Sequence, residues 1–173
     1  GNFKYFDWEE VSIASQKVIV SRTGFTNELG WEIYISPDND ARKIGDLLLE
    51  EGTKMGMLLT ASPGFRGRRI EAGLLSAGRD FTKDRNPFSV GLGKFIDFDK
   101  GDFIGRDFLL NADKKCLTWG MRVENSFALV DSDIVLDGKK IGIVTSSTWS
   151  PYQVCGVSIV HLNDSNFGPG TIV

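Results

Sequence analysis

Two short β-type runs flank a glycine-containing loop, and this feature constrains the fold of the chain more than any other. The runs are residues 16–21, QKVIVS, and 31–36, WEIYIS, and the loop between them reads RTGFTNELG. β-Branched and aromatic runs joined by such a loop predict an antiparallel hairpin. Successive strand side chains point to opposite faces, so Glu32 and Tyr34 are predicted to share the polar face of the second strand.

Helical periodicity follows the hairpin in two segments. The polar cluster SPDND precedes apolar residues at helical spacing in ARKIGDLLLEEGTKMG, with Gly56 as the predicted stop. A second helix is predicted over residues 66–78, RGRRIEAGLLSAG, closed by Gly78. Its first turn would then carry three arginines, which oppose the helix dipole. A local conflict of this kind is typical of a functional position.

Short strand-like runs dominate the last third of the chain. Asp137 and Gly138 separate two of them, 134–136 and 141–144, and the Asp-Gly pair is a strong signal for a two-residue hairpin turn. The sequence therefore predicts an antiparallel barrel or sandwich in this region.

The predicted fold class is α+β, with a domain boundary in the polar stretch NADKK near residues 110–116. Residues 1–112 are predicted to form part of a central α/β domain, made of an antiparallel hairpin and two helices. Residues 113–173 are predicted to form a small antiparallel β-barrel that is incomplete.

Charge and cysteine content argue against several classes of function. A net charge of −3 and a pI near 5.2 argue against nucleic acid as the main partner. Cys116, Cys155 and the single His161 have no metal-binding spacing, and the two cysteines are interpreted as core residues in a reducing cytosol. The opening GNFKYFDWEE resembles no signal peptide, and no apolar run reaches the ~18 residues of a membrane span. A cytoplasmic location without membrane or metal binding is therefore expected.

Two motif-like stretches fail on spacing. DFDKGDFIG has a glycine where a third oxygen ligand of a calcium loop would stand and no closing glutamate, so it is interpreted as a solvated turn. GLGKFI lacks the third glycine of a dinucleotide-binding fingerprint.

Three segments, in order, resemble the aminomethyltransferase family, which includes the T-protein of glycine cleavage. SRTGFTNELGWEI resembles RTGYTGEDGFEI, RRIEAG resembles RLEAG, and PFSVGLGKFIDFDKGDFIGRDFL resembles PxExGLxxxVDxxKxDFIGKxxL. The details GWEIYI, LLSAGRDF and NPFSVG are similar to the dimethylsulfoniopropionate demethylase branch. The matching segments cover most of residues 16–110, and the match through the C-terminal strands is looser.

The resemblance implies a tetrahydrofolate-dependent one-carbon transferase whose pterin lies in a cavity formed by several domains. A pterin edge presents a ring N–H beside an exocyclic amine, and the carboxylate of Glu32 is the candidate acceptor. Tyr34 is expected at the cavity wall, and Glu28 is a weaker candidate in the turn. Arg69 occupies the family's arginine position and is expected to bind the anionic glutamate tail of folate.

Each of these residues also has an ordinary structural interpretation. Glu32 could be an exposed strand residue, Tyr34 a core residue, Arg69 one half of a helix-end salt bridge, and Glu28 a solvated turn residue. The sequence assigns no catalytic residue. Phe25 stands where the family has a tyrosine, so a hydroxyl contact is absent there.

Proteins of this family are much longer than the chain, and their N-terminal half carries much of the folate cavity. We therefore expect a C-terminal fragment of a transferase that acts on a small one-carbon donor, whether an aminomethyl group, a methylated amine or a sulfonium. Without the missing N-terminal half, the chain is expected to be inactive and to self-associate.

Two alternatives stay open. The chain could be a non-catalytic folate-binding or interaction module, like relatives that assist iron–sulfur cluster assembly. Those relatives carry a cysteine in a KGCYxGQE-type motif where this chain has Asp102, which favours the transferase. The chain could also be the transferase tail of a sarcosine or dimethylglycine oxidase.

Overall fold

The computed structural model describes residues 3–173, apart from the side chain of Pro63. The elements are β1 (Trp8–Ile13), β2 (Gln16–Ser21), β3 (Glu32–Tyr34), α1 (Ala41–Lys54), α2 (Ser62–Glu71), a short 3₁₀ helix (Gly93–Phe95), α3 (Arg106–Asn111), β4 (Thr118–Val123), β5 (Asp133–Leu136), β6 (Lys139–Ser150) and β7 (Cys155–Leu162). All strand pairs are antiparallel, which confirms the predicted α+β class.

The chain groups into two compact units, Gly1–Arg68 and Arg69–Val173. The domain boundary predicted near residues 110–116 stays a prediction. Over residues 3–173, no helix combines the length and the apolar character that crossing a bilayer requires.

The first unit contains a three-stranded sheet in the order β1-β2-β3. The predicted hairpin is confirmed, because β2 pairs with β3 and Ser21 lies opposite Glu32. Strand β1 was not predicted. Its turn to β2 places Ala14 and Ser15 at φ 50° and 61°, the left-handed values of a type I′ turn. Such turns normally use Asn and Gly, so the local sequence carries no signal for this hairpin.

Helix α1 confirms the first helical prediction. Asp40 caps it, since the Asp40 side chain accepts a hydrogen bond from the backbone N–H of Lys43 at 3.1 Å. The helix ends at Lys54, and Gly56 follows with a φ of 85°, a left-handed conformation that glycine adopts without strain.

Helix α2 begins and ends earlier than predicted. It ends at Glu71, because Gly73 has a φ of 70° and the chain closes in a Schellman pattern, with Leu74 N–H donating to Arg69 O at 2.8 Å and Gly73 N–H to Ile70 O at 3.0 Å. The helix begins at residue 62, so the three arginines do not occupy its first turn. The dipole conflict inferred from the sequence is therefore wrong.

The second unit contains a four-stranded sheet in the order β4-β7-β6-β5. The predicted two-residue turn is confirmed, because Leu136 pairs with Lys139 and the intervening Asp137 and Gly138 have φ values of 49° and 74°. The pairings within residues 3–173 give an open sheet, so closure into a barrel stays a prediction.

Each face of this sheet is covered by its own apolar cluster. One cluster centres on Val144 and Val160, with Trp119 and Met121 packed against it. The other contains Val157 and Ile159 of β7 together with Ile70, Cys155 and Leu75. Since β7 lies between β4 and β6 and contributes to both clusters, it is the central strand of the second unit's core.

Candidate functional site

A hydroxyl–carboxylate cluster lies on the β2–β3 hairpin. The hydroxyl of Tyr34 donates to Oε2 of Glu32 at 3.0 Å, and Oγ1 of Thr23 donates to the same oxygen. Ser21 and Thr23 share a further hydroxyl hydrogen bond of 2.9 Å. The predicted common face of Glu32 and Tyr34 is therefore confirmed, whereas no pattern in the sequence pointed to Thr23 or Ser21.

The cluster forms where the strand ladder ends. Ser21 and Glu32 are the last paired residues of β2 and β3, so Thr23 is the second residue of the loop and reaches back to the carboxylate. Glu32 is half-buried and Tyr34 is 53% exposed, so the core-packing interpretation of Tyr34 is wrong. Within residues 3–173, Oε1 of Glu32 receives no hydrogen bond.

Glu28 lies in a different interaction. Its carboxylate forms an exposed ion pair with Arg68, which belongs to the same unit. An exposed ion pair of this kind contributes about 0 to 1 kcal/mol to stability, so it restricts the position of Glu28 only weakly.

Arg69 is the centre of a buried polar network in the second unit. Its Nη1 donates to Oδ2 of Asp80 at 2.8 Å and to Leu74 O at 2.9 Å, and its Nη2 donates to Oγ of Ser146 at 2.8 Å. The Arg69 side chain is 8% exposed and that of Asp80 is fully buried. The helix-end salt bridge, one of the two interpretations of Arg69, is therefore present.

The carboxylate of Asp80 completes this network and accepts hydrogen bonds from four donors. Besides Arg69, the backbone N–H of Ser76 donates to Oδ2 at 2.8 Å, and the hydroxyls of Thr145 and Ser146 donate to Oδ1 at 2.7 and 2.6 Å. A carboxylate with four donors is the kind of site in which a buried charge is compensated. The network joins the segment after α2 to strand β6.

Described residues of the second unit line at least two cavities. The larger has a volume of about 670 Å³ and is lined by the end of α2, the 3₁₀ segment, and strands β4 and β7. It carries charge from Glu71, Lys94 and Arg122, and Glu71 also accepts a hydrogen bond of 2.5 Å from the Ser150 hydroxyl. The smaller, about 490 Å³, lies over residues 77–92. Both volumes are in the range of small-molecule sites.

His161 is a half-buried group that contacts a lining residue of the larger cavity. Its Nδ1 hydrogen-bonds the Thr118 hydroxyl at 2.9 Å, and Thr118 lines that cavity. Burial, together with the positive charge of Arg85, lowers the pKa of His161 to about 4. The imidazole is therefore neutral at physiological pH.

The predicted site residues thus belong to three separate networks. Glu32 and Tyr34 are in direct contact, Glu28 pairs with Arg68, and Arg69 pairs with Asp80. The expectation that Glu32 and Arg69 face one concave surface stays a prediction. In the part of the chain that the structure describes, no group of three His, Cys, Asp or Glu side chains could hold a metal ion.

Comparison with known families assigns the chain. The model of the GCVT N-terminal domain matches residues 1–100. Because this match covers more than half of the chain, the chain belongs to the GCVT family of aminomethyltransferases.

Individual relatives agree with this assignment. The aminomethyltransferase of Caldanaerobacter subterraneus subsp. tengcongensis is 39% identical over an alignment of 154 positions, which covers 86% of this chain and 40% of the relative. That of Halothermothrix orenii is 31% identical over an alignment of 179 positions, which covers 98% of this chain and 48% of the relative. The chain thus spans less than half the length of these two relatives.

A solved structure shares the fold. The glycine cleavage system aminomethyltransferase T from Bartonella henselae superposes with a TM-score of 0.68 at 24% identity, over 94% of this chain and 45% of that one.

Proposed function

We propose that the chain is part of a tetrahydrofolate-dependent one-carbon transferase and that Glu32 is its pterin-binding carboxylate. The supporting observation is the state of that carboxylate. Two hydroxyls fix Oε2, while Oε1 has no hydrogen bond within residues 3–173 and the side chain is only half-buried. An oriented carboxylate with one open oxygen can accept a ligand N–H without first losing a protein donor.

Tyr34 and Thr23 serve this site as positioning residues in the proposal. The Tyr34 hydroxyl holds the carboxylate, and its exposed ring offers a face for an aromatic ligand to stack on. A second ligand donor could be accepted at Oε2 only if one of the two hydroxyls turned away. Glu28 contributes less in this proposal, since its carboxylate is already paired with Arg68.

An anionic ligand group requires a cation, and the cations described above for the second unit differ in how available they are. Arg69 is buried and bonded to three protein acceptors, so tail binding by Arg69 would disrupt the Asp80 network. Lys94 and Arg122 are exposed and line the 670 Å³ cavity. Among the cations that line this larger cavity, we therefore propose Lys94 and Arg122 as available to an anionic ligand group, and Arg69 as the residue that holds the backbone after α2.

The proposed reaction passes a carbon unit to N5 of the folate from an amine or a sulfonium. No covalent enzyme intermediate is needed, because the acceptor nitrogen attacks the donor carbon directly once the two are aligned. The bond from that carbon to the sulfonium sulfur or to the protonated amine nitrogen breaks, its electron pair leaves on the neutral sulfide or amine, and N5 gives up its proton to solvent. Catalysis then rests on positioning and on preorganised electrostatics. The sulfonium donor of the dimethylsulfoniopropionate demethylase branch is proposed alongside the aminomethyl donor, and the described residues do not assign the group that selects between them.

We propose further that turnover needs a longer polypeptide than this chain. The chain spans 40% and 48% of the two relatives described above. Large apolar side chains of the first unit stay exposed, among them Trp8 at 66% and Trp31 at 51%. Exposed apolar surface of this kind marks a contact with another segment or another copy. A cytoplasmic location and closure of the C-terminal strands into a barrel belong to the same proposal.

The experiment is a turnover assay joined to a binding titration on the purified chain. Tetrahydrofolate is expected to bind with a Kd on the order of millimolar, equivalent to only ~4 kcal/mol, and one-carbon transfer is expected to be absent. Micromolar binding with turnover would contradict the need for a longer polypeptide. No saturable binding up to the solubility limit would favour the alternative of an interaction module.

A further inference from the structure

The smaller cavity of the second unit combines apolar walls with positive charge. Its volume is about 490 Å³, and Phe81, Pro87, Val90 and Leu92 form most of its apolar lining. Arg85 and Lys83 supply the charge, and no acidic residue lines the cavity among the described residues. None of the residues proposed to contact tetrahydrofolate belongs to its lining.

Arg85 is the unusual member of this lining. Its Nη1 donates to the backbone oxygen of Asp80 at 2.7 Å, and within residues 3–173 no carboxylate lies within ion-pair distance of its guanidinium. The nearby buried carboxylate, that of Asp80, already receives four donors. The positive charge of Arg85 is therefore half-buried. In the described part of the chain, its five N–H groups have one protein acceptor.

Burial shifts the pKa of Arg85 in the expected direction. Removal from water lowers the pKa of its guanidinium, while the charges of Asp80 and Asp84 raise it and compensate only in part. Asp84 is exposed and accepts a hydrogen bond from the Thr82 hydroxyl. A half-buried guanidinium gains most from an anion that also fills the apolar space beside it.

We propose that this cavity binds a small amphiphilic monoanion, a carboxylate joined to an apolar body. Arg85 receives the carboxylate, Lys83 assists from the exposed rim, and the apolar body packs on Phe81, Pro87 and Leu92. A monoanion matches the site better than a phosphate dianion, because the cavity offers one half-buried cation and walls that are mainly apolar. This binding is independent of the proposed transferase activity.

The experiment uses octanoate as the probe and octanamide as its uncharged match. Amide chemical shifts of the ¹⁵N-labelled chain are followed during each titration. Octanoate is expected to bind with a submillimolar Kd, to shift the amides of Gly78, Phe81 and Arg85, and to bind at least tenfold more tightly than octanamide. Equal affinity of the two probes, or shifts confined to the apolar surface of the first unit, would overturn the proposal.

Three variants test the assignment within the cavity. Arg85→Met is expected to weaken octanoate binding at least tenfold and Arg85→Lys by less, while Lys83→Gln is expected to weaken it about twofold to threefold. Since Arg85→Met also removes the bond to Asp80 O, Ala77→Phe provides a second test, because Ala77 is exposed and lines the cavity. Loss of octanoate binding in a folded Ala77→Phe variant supports the site, and unchanged binding in that variant refutes it.

Discussion

Replacing Asp80 by alanine tests the most strongly determined part of the structure. The variant removes a fully buried carboxylate that receives hydrogen bonds from Arg69, Ser76, Thr145 and Ser146. It leaves the guanidinium of Arg69, which is 8% exposed, without its counter-charge. Breaking a buried ion pair by removing one partner costs about 3–5 kcal/mol. Since whole domains are stable by only about 5–15 kcal/mol, this is a large loss.

The assay is urea unfolding followed by circular dichroism, with the midpoint and slope compared between variants. Asp133→Ala is the matched control, because Asp133 forms an exposed ion pair with Lys140 at 2.6 Å in the same unit. The control is expected to cost less than about 1 kcal/mol.

A double-mutant cycle separates the ion pair from simple loss of packing. The double variant Arg69→Met with Asp80→Ala is expected to cost less than the sum of the two single variants, because no unpaired charge then stays buried. A cost of Asp80→Ala below about 1 kcal/mol, or additive effects in the cycle, would refute the account of this network.

Two further predictions concern the second unit. The pKa of His161 is lowered from its ordinary 6.5 to about 4, mainly by burial and to a smaller extent by the charge of Arg85. The imidazole therefore binds a proton more tightly in the unfolded chain than in the folded chain. Stability is therefore expected to fall by about 1–2 kcal/mol as the pH drops from 6.5 to 4, after discounting for the partial exposure of His161, and to level off below. Urea unfolding midpoints measured across this pH range test the predicted loss of stability. His161→Gln is expected to remove the part of the pH dependence that comes from His161, and an unchanged pH dependence in that variant would contradict the prediction. Gly138→Ala is expected to cost about 1 kcal/mol, because Gly138 has a φ of 74°. Thermal unfolding measures this cost, with Gly120→Ala as the control, since a Cβ at Gly120 meets no atom within 4 Å. Equal melting temperatures for these two glycine variants would contradict the turn assignment.

Local signals in the sequence predicted part of the hydroxyl–carboxylate cluster on the β2–β3 hairpin. The β2–β3 hairpin and the shared face of Glu32 and Tyr34 follow from strand alternation, and the start of α1 follows from the capping residue Asp40. The Asp137-Gly138 turn is likewise predicted by its own two residue types, which favour a two-residue hairpin turn. In each case the interacting residues lie in the same helix or strand, or in strands joined by a single loop.

The features that the sequence did not predict depend on distant residues or on unusual turn chemistry. Thr145 and Ser146 contact Asp80 although they lie 65 and 66 residues away from it in the sequence. No local sequence pattern predicts such contacts. Strand β1 is joined to β2 by Ala14 and Ser15, which are atypical for left-handed positions. The predicted bounds of α2 are wrong because Gly73, rather than Gly78, ends the helix.

The most direct test of the central claim is a tetrahydrofolate titration of the chain carrying Glu32→Gln, followed by amide chemical shifts. Glutamine keeps the shape of the side chain but replaces the charged acceptor, and losing a hydrogen bond to a charged group costs about 1.5–3 kcal/mol. Binding is therefore expected to weaken by about tenfold or more. Glu50→Gln, which alters an exposed partner of Lys54 on α1, is the control and is expected to bind as the unchanged chain does. Equal affinity of the Glu32→Gln variant and the unchanged chain would contradict the assignment of Glu32 as the pterin-binding carboxylate.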